Sequence, residues 1–558
     1  MSADGVRPGL DQPAWIASLR AALAAECGRP VALIETHISW VLLNGQHAYK
    51  IKKPVALGFL DFTTLAARKH YCEEELRLNR RLAPDLYLDV VPITGDPGAP
   101  SLGGTGPPFE YAVRMREFPQ DALLSRVLER GALSAAQIDA LAAQVAVFHG
   151  RVATATEDTP YGVPADILHY AVQNFVQIRR LVVLPRDLEA LSSLEAWTRQ
   201  AYGLVRSTLA ARRRDGFVRE CHGDLHAGNI ALLDGRLTIF DALEFDAELR
   251  WIDTMSEAAF VTMDLADRGR PDFAHRFVNA YVEATGDHGG LAVLRFYLVY
   301  RAMIRAKVAC LRAAQLGENV PDKRLLAQFR GYVDLARRHA SPSAGAMVLM
   351  HGVAGSGKST LAQILVERLG AIRVRSDVER KRMRGLAPAA RSGSALGAAL
   401  YGDDVTENTY ARVADLVKGV AAAGYVAIAD ATFLRQAQRK QFRALAAGLG
   451  VPFVIVDCSA SEAVLRARVA ARAQRGTDAS EADVRVLEQQ LRLREALSAN
   501  ERQLAIAYDA GSATGAAPDV AWWRELTGRL ATGEDAHRES AASGDAGTGM
   551  PDEPQRRP

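Results

Sequence analysis

The sequence predicts an α+β domain of two lobes, followed by an α/β domain built on a parallel sheet around a phosphate-binding loop. Three observations carry that expectation. Residues 31–53 alternate in β fashion around an Asn44-Gly45 turn, and from about Ala122 the apolar spacing turns helical, as in Ile138–Val147. After the stretch HASPSAGA, short apolar runs alternate with helical segments, the pattern of a parallel sheet with right-handed crossovers. The first of these runs leads directly into Gly352-Val-Ala-Gly-Ser-Gly-Lys-Ser-Thr360, which fits G-x-x-x-x-G-K-[ST] at every position.

In chain order, residues 1–13 read as a loose polar arm. A first domain spans 14–338, with a β-rich lobe over about 30–118 and a helical lobe over about 119–338. Residues 339–346 form a linker, the sharpest composition shift in the chain. A second domain spans 347–531, with strands expected at Met347–Met350, Ile372–Val374, Val426–Ala429 and Phe453–Val456. The tail, 532–558, has almost no apolar residues and reads as disordered.

Composition narrows the function. The chain has 558 residues, 49% apolar and 24% charged, with a net charge of +3. That is too long for one core and too near neutral for a nucleic-acid coat or a membrane-surface binder. The five cysteines are scattered without CxxC or paired His spacing, so neither a disulfide framework nor a structural zinc site is expected. No apolar run approaches the ~20 residues that cross a bilayer, and the N-terminus lacks a signal-peptide pattern. The expected location is cytoplasmic, and the oligomeric state is left open.

The phosphate loop explains its own composition. Gly352, Gly355 and Gly357, with Ser356 in the turn, let the backbone N–H groups face phosphate at a helix N-terminus. Lys358 would reach the β- and γ-phosphates of ATP, the Ser359 hydroxyl would hold Mg²⁺, and Thr360 completes the motif. An amphipathic helix follows and stops at Gly370. Asp377 falls at the end of the next strand, where open α/β sheets bind ligands. It can accept the proton of an attacking hydroxyl while Arg380, one turn on, holds an anionic substrate group. The plainer alternative is that Asp377 caps a helix and the basic run is a solvated face. Asp430, after the third strand, is the Mg²⁺ candidate, with Asp457 a weaker rival. Arg468, Arg472 and Arg475 share a helix face that could close over the transferring phosphoryl group, or could simply be exposed.

On GVAGSGKST, RSDVER, ADAT and RAQRGTDASEAD, residues 347–500 resemble the P-loop kinases of small molecules and polynucleotides: gluconate kinase, zeta toxin and polynucleotide 5′-hydroxyl kinase. In the polynucleotide kinases an Asp is the base, and an Arg three residues later clamps substrate phosphate. Asp377 and Arg380 match that spacing.

The first domain carries a second signature, Cys221-His-Gly-Asp224-Leu-His-Ala-Gly-Asn229-Ile230, followed by Thr238-Ile-Phe-Asp241. H-G-D-x-x-x-x-N with a later Asp resembles the aminoglycoside phosphotransferases and, more distantly, the protein kinases. That resemblance covers about residues 30–310 and implies a bilobal protein-kinase-like fold with Asp224 as base and Asn229 and Asp241 as Mg²⁺ ligands. It also implies an ATP lysine, Lys50 or its rival Lys52 on the same strand face, paired with a helix glutamate among Glu73, Glu74 and Glu75. Glu75 has the preferred register. The adenine hinge would fall near Met115–Phe118. No glycine-rich loop precedes the lysine strand, so the turn Thr36–Ser39 would have to cover the phosphates.

The whole chain thus resembles the bacterial fusions of an aminoglycoside-phosphotransferase-like domain with a P-loop, AAA-type kinase-like domain. Fold predicts architecture better than substrate. The leading expectation is an ATP-dependent phosphotransferase with two nucleotide sites acting on hydroxyls of small molecules. A 5′-hydroxyl polynucleotide kinase is the alternative, with nucleic acid not favoured as a partner. A nucleotide-sensing regulator without turnover is the third. After Asp241 the chain offers Glu244, Asp246, Glu248, Asp253 and Glu257, but also Arg295, Arg301, Arg305 and Lys307. The charge pattern therefore does not commit to a cationic substrate.

Overall fold

The computed structural model describes residues 13–56, 60–315, 323–342, 344–387, 390, 403–475, 480, 482–511 and 518–543. The chain divides into two compact units, residues 1–285 with 290–341, and residues 286–289 with 342–558. The last helix is Val520–Ser543, and the final residues of the expected tail, 544–558, lie outside the described residues.

The first unit opens with a six-stranded antiparallel sheet of β1 (Ala32–Glu35), β2 (Ser39–Leu43), β3 (His47–Lys52), β4 (Tyr87–Asp96), β5 (Ala99–Leu102) and β6 (Glu110–Arg116). Its strand order is β1-β2-β3-β6-β4-β5. The two-residue period sorts the faces. Trp40, Leu42, Tyr49 and Ile51 pack toward Ile16, Leu19 and Leu23 of the helix Ala14–Cys27. Val41, Ala48 and Val113 pack toward Cys72 of the helix Leu65–Arg80. Lys50 and Lys52 alternate with Tyr49 and Ile51, so both fall on the face that the second helix covers. Gly45, at φ +84°, makes the β2–β3 turn, a conformation that side chains with a Cβ resist.

The second lobe is helical. Thr254–Asp267 packs against Pro271–Thr285 and Leu291–Gln315 and also against the polar segment between β7 (Val218–Glu220) and β8 (Ile230–Leu233). β8 forms a hairpin with β9 (Arg236–Ile239), and β10 (Trp251–Asp253) pairs antiparallel with β7. This is the bilobal kinase-like architecture.

The second unit is an α/β P-loop fold. Its sheet contains β11 (Ala346–His351), β12 (Ile372–Arg375), β13 (Val426–Asp430), β14 (Phe453–Ser459) and β15 (Ala505–Asp509), all parallel, in the order β12-β13-β11-β14-β15. Four strands match the expected ones. The fifth, AIAYD, was not anticipated; it is short and buries only alternate residues. The loop Gly352–Gly357 leaves the central strand at its carboxyl end, between neighbours β13 and β14. Arg439 is fully buried, with Nε 2.8 Å from Glu501 Oε1 and Nη1 donating to the carbonyls of Phe433, Leu434 and Glu495.

Removing one member of such a pair strands its partner without a countercharge. Arg439→Met should lower the stability of the second unit by about 3–5 kcal/mol, read as a lower urea midpoint at unchanged m-value.

Candidate active sites

The first site is built on the two strand lysines. Lys50 Nζ lies 2.7 Å from Glu75 Oε1 and 2.6 Å from Asp241 Oδ1. Lys52 Nζ lies 2.8 Å from Glu75 Oε2 and also pairs with Glu244. Glu75 thus holds both lysines, one per oxygen, while Glu73 and Glu74 pair with Lys69 and Arg77 at the surface of their helix. The two lysines differ in what else they touch. Lys50 reaches Asp241, and Lys52 is fully enclosed. Burial alone would strip the Lys50 proton, but Asp241 and then Glu75 outweigh it and raise its pKa well above the usual lysine range. Burial likewise opposes ionisation of Asp241, and Lys50 holds that carboxyl below its ordinary range.

Asp241 has φ +63°, a left-handed conformation that costs a non-glycine residue about 1–3 kcal/mol. Two side chains hold it there. Its N–H donates to Tyr87 Oη at 3.1 Å, and the next N–H, of Ala242, donates to Asn79 Oδ1 at 2.8 Å. The sequence reading missed both residues. An asparagine inside an amphipathic helix was the only signal available. Lys50, Tyr87 and Asp241 line a cleft together with the apolar side chains of Ile34, Met115, Phe118 and Phe240. The expected hinge residues Met115 and Phe118 therefore face the same cleft as the lysine.

Asp224 and Asn229 belong to the loop after β7. Asn229 Nδ2 donates to the Asp224 carbonyl at 2.9 Å and to its Oδ2 at 3.1 Å. His226 Nδ1 accepts from the Gly228 N–H at 2.9 Å, which leaves the proton on Nε2, 3.4 Å from Asp224 Oδ2. Burial opposes ionisation of Asp224, but His226 and then Arg305 hold its carboxyl far below the usual range. A carboxylate held so firmly ionised is a weak base.

The loop itself hangs on Glu257. Its Oε1 accepts from Gly223 N–H at 2.7 Å, and its Oε2 from His222 N–H at 3.2 Å and from His149 Nε2 at 2.8 Å. Burial opposes its charge, yet the hydrogen bond from His149, more than any other contact, brings it down to about 2. The sequence reading counted Glu257 only as one acid among several.

In the second unit the loop Gly352–Gly357 closes around Lys358, whose Nζ donates to Val353 O at 2.8 Å. Gly352 has φ +139°, and a Cβ there would strike Cys458 O, so no other residue fits. Burial lowers the Lys358 pKa, with Asp430 the leading charge opposing that shift. Among the described residues Asp430 Oδ2 is buried without a hydrogen-bond partner, whereas Asp457 is engaged by His351 at 2.7 Å. That orphaned oxygen favours Asp430 over Asp457 as a cation ligand.

The helix cap falls on Arg375, not Asp377, and Arg380 Nη1 meets Asp377 Oδ1 at 2.6 Å. Of the lid arginines, Arg468 donates to Gly355 O at 3.4 Å and Ala510 O at 2.8 Å, clipping the loop. Arg472 donates to Ala482 O at 3.2 Å, and its charge acts on Lys358. The Arg475 side chain lies outside the described residues. Gln490, which the sequence did not single out, accepts from the Ala354 N–H at 2.7 Å.

The fold and the two motif sets define a kinase-like domain joined to a P-loop, AAA-type domain. Residues 347–497 match a family model described as an AAA domain. The chain is 30% identical over 446 residues to the uncharacterized protein Rv2004c of Mycobacterium tuberculosis (strain ATCC 25618 / H37Rv), covering 80% of this chain and 87% of that one. It belongs to the same family as that protein. Among solved structures it is similar to a choline/ethanolamine kinase family protein from Mesorhizobium loti (16% identity, TM-score 0.36, 58% of this chain and 98% of that one). It is also similar to a gluconokinase from Sinorhizobium meliloti 1021 (21% identity, TM-score 0.23, 37% and 99%). No described helix is long and apolar enough to cross a membrane.

Two predictions separate chemistry from scaffold. Lys52→Met should cost about 3–5 kcal/mol of stability by stranding Glu244 and half of Glu75. Lys50→Met strands Asp241 and the other half of Glu75 as well, and in addition it should abolish nucleotide binding in the first cleft of the folded variant, read by titration with a fluorescent ATP analogue in a Lys358→Ala background. For Glu257, the folded pKa of about 2 lies below the ordinary 4.5, so its stabilisation is complete above pH 4.5 and fades as pH falls toward 2. The stability gap between wild type and Glu257→Gln, about 3 kcal/mol at neutral pH, should close over that window in urea melts.

Proposed function

We propose that this chain is an ATP-dependent phosphotransferase with two nucleotide sites, each passing the γ-phosphate to a hydroxyl group of a small molecule. The observation that carries the reading is Lys50, held simultaneously by Glu75 and Asp241 in a cleft that apolar side chains also line. That arrangement offers an ammonium group for phosphates and apolar surface for a base within one cleft.

In the kinase-like centre the acceptor oxygen attacks the γ-phosphorus, and the bond from phosphorus to the β–γ bridging oxygen breaks. ADP departs with that electron pair, and the hydroxyl proton passes to Asp224. Asn229 fixes Asp224 through one hydrogen bond to its carboxylate and one to its main-chain carbonyl, and Lys50 orients the phosphates. Asn229 and Asp241 in the first site, and Ser359 and Asp430 in the second, offer hard oxygen ligands of the kind Mg²⁺ takes, and the orphaned Asp430 oxygen fits that use. When bound, Mg²⁺ would neutralise phosphate charge.

In the P-loop centre, Gly352, Gly355, Ser356, Gly357 and Thr360 form the phosphate cradle with Lys358. Asp377 receives the acceptor proton, Arg380 holds an anionic part of the acceptor, and Arg472 faces the transferring group. The contact between Asp377 and Arg380 also suits a polynucleotide 5′-hydroxyl as acceptor, which is the second reading.

The test uses ATP labelled at the γ-phosphate, Mg²⁺, and either a metabolite extract or 5′-hydroxyl oligonucleotides. Label transfer to small molecules should fall at least about 100-fold in Asp224→Asn for the first centre and in Lys358→Ala for the second. Nucleotide binding at both sites with no transfer to any acceptor would contradict the reading and favour a regulator.

A further inference from the structure

The acidic stretch after Asp241 is where a pocket for a cationic acceptor would be built, and every carboxylate weighed for it is engaged elsewhere. Glu244 pairs with Lys52, and Asp246 accepts from the Glu248 N–H at 2.8 Å, capping the short helix Ala247–Arg250. Glu248 accepts from the Tyr170 hydroxyl, Asp253 accepts from Arg212 Nε and Nη2 at 2.8 Å each, and Glu257 holds the catalytic loop.

The cations beside Asp224 are in the opposite condition. Arg301, Arg305 and Arg312 follow one face of the helix Leu291–Gln315. Arg301 is buried against the loop, with Nη1 3.5 Å from Gly223 O and Nε 3.2 Å from Ser256 Oγ. It serves the scaffold. Arg305 is half-buried, with Nη1 3.4 Å from His226 Nε2, and that nitrogen is itself 3.4 Å from Asp224 Oδ2. Its only other polar contact among the described residues is Tyr332 Oη at 3.5 Å. Arg312, also half-buried, feels the charges of Arg305 and Asp224. Among the described residues neither guanidinium has a carboxylate partner. Two half-buried arginines that touch no carboxylate among the described residues, next to a catalytic carboxylate, favour an anion from solution.

We propose, resting on the kinase reading above, that the acceptor of the kinase-like centre is an alcohol bearing an anionic group, phosphate or carboxylate, held by Arg305 and Arg312. Its hydroxyl oxygen forms the new bond to the γ-phosphorus, its proton goes to Asp224, and ADP leaves with the bridging oxygen. The anionic group takes no part in bond making and sets only position.

The experiment uses the full chain carrying Lys358→Ala, so that the P-loop centre is silent. It is given γ-labelled ATP, Mg²⁺ and three acceptor groups: glycerol 3-phosphate and glycerate, glucose, and choline with kanamycin. Label should pass to the anionic group, split between its phosphate and carboxylate members, and be lost on adding Asp224→Asn. Arg305→Ala should raise the KM of that acceptor about 10- to 100-fold while leaving the KM for ATP unchanged, and Arg305→Lys should recover part of the loss. Arg312→Ala supplies the same readout if Arg305→Ala fails to fold. Asp224-dependent transfer to the neutral or cationic acceptors with the anionic ones inert would overturn the proposal and leave the kinase reading intact. Transfer to anionic acceptors that ignores both arginine changes would also overturn it. No Asp224-dependent transfer to any acceptor would overturn both.

Discussion

The first unit depends on one buried charge cluster, in which the Glu75 carboxylate grips Lys50 with one oxygen and Lys52 with the other. Neither lysine could stay charged there alone, since removing an ammonium group from water costs several kcal/mol without a partner. The carboxylates that repay this come from three places in the chain: the helix Leu65–Arg80, Asp241 after β9, and Glu244 just beyond. The cluster therefore ties the β-lobe to the helical lobe. It also fixes Asp241 in a strained left-handed conformation, backed by Tyr87 and Asn79. Position, charge and strain in the cleft all follow from that arrangement.

The same logic runs through the loop that carries Asp224. A buried glutamate accepts two main-chain N–H groups and a histidine, so the backbone rather than the reactive side chain is held rigid. Asp224 then needs only Asn229 and His226 to set its direction. In the P-loop unit the fixing is done by sterics instead. Gly352 admits no Cβ, Arg468 clips the loop by two carbonyls, and Lys358 lies folded onto Val353 O.

Much of this was legible in the sequence, for identifiable reasons. The glycine pattern of the P-loop and the H-G-D-x-x-x-x-N run are local, so their spacing alone places them. The choice between Lys50 and Lys52 was not local. Both share a strand face, and only the position of Asp241, 191 residues further along, separates them. Glu257, Asn79 and Tyr87 act through main-chain groups of other segments, which leaves no trace in periodicity. The acids after Asp241 were visible as a cluster, but whether they face a substrate or one another is a three-dimensional question. The fifth strand, Ala505–Asp509, escaped because it is short and buries only alternate residues.

The central claim is that two separate nucleotide centres coexist in one chain. Isothermal titration of the full-length protein with a non-hydrolysable ATP analogue and Mg²⁺ addresses it without knowledge of any acceptor. Two binding events per chain are expected, one removed by a change at Lys50 and the other by a change at Lys358. A single event, or two that both vanish when either lysine is altered, would contradict the account.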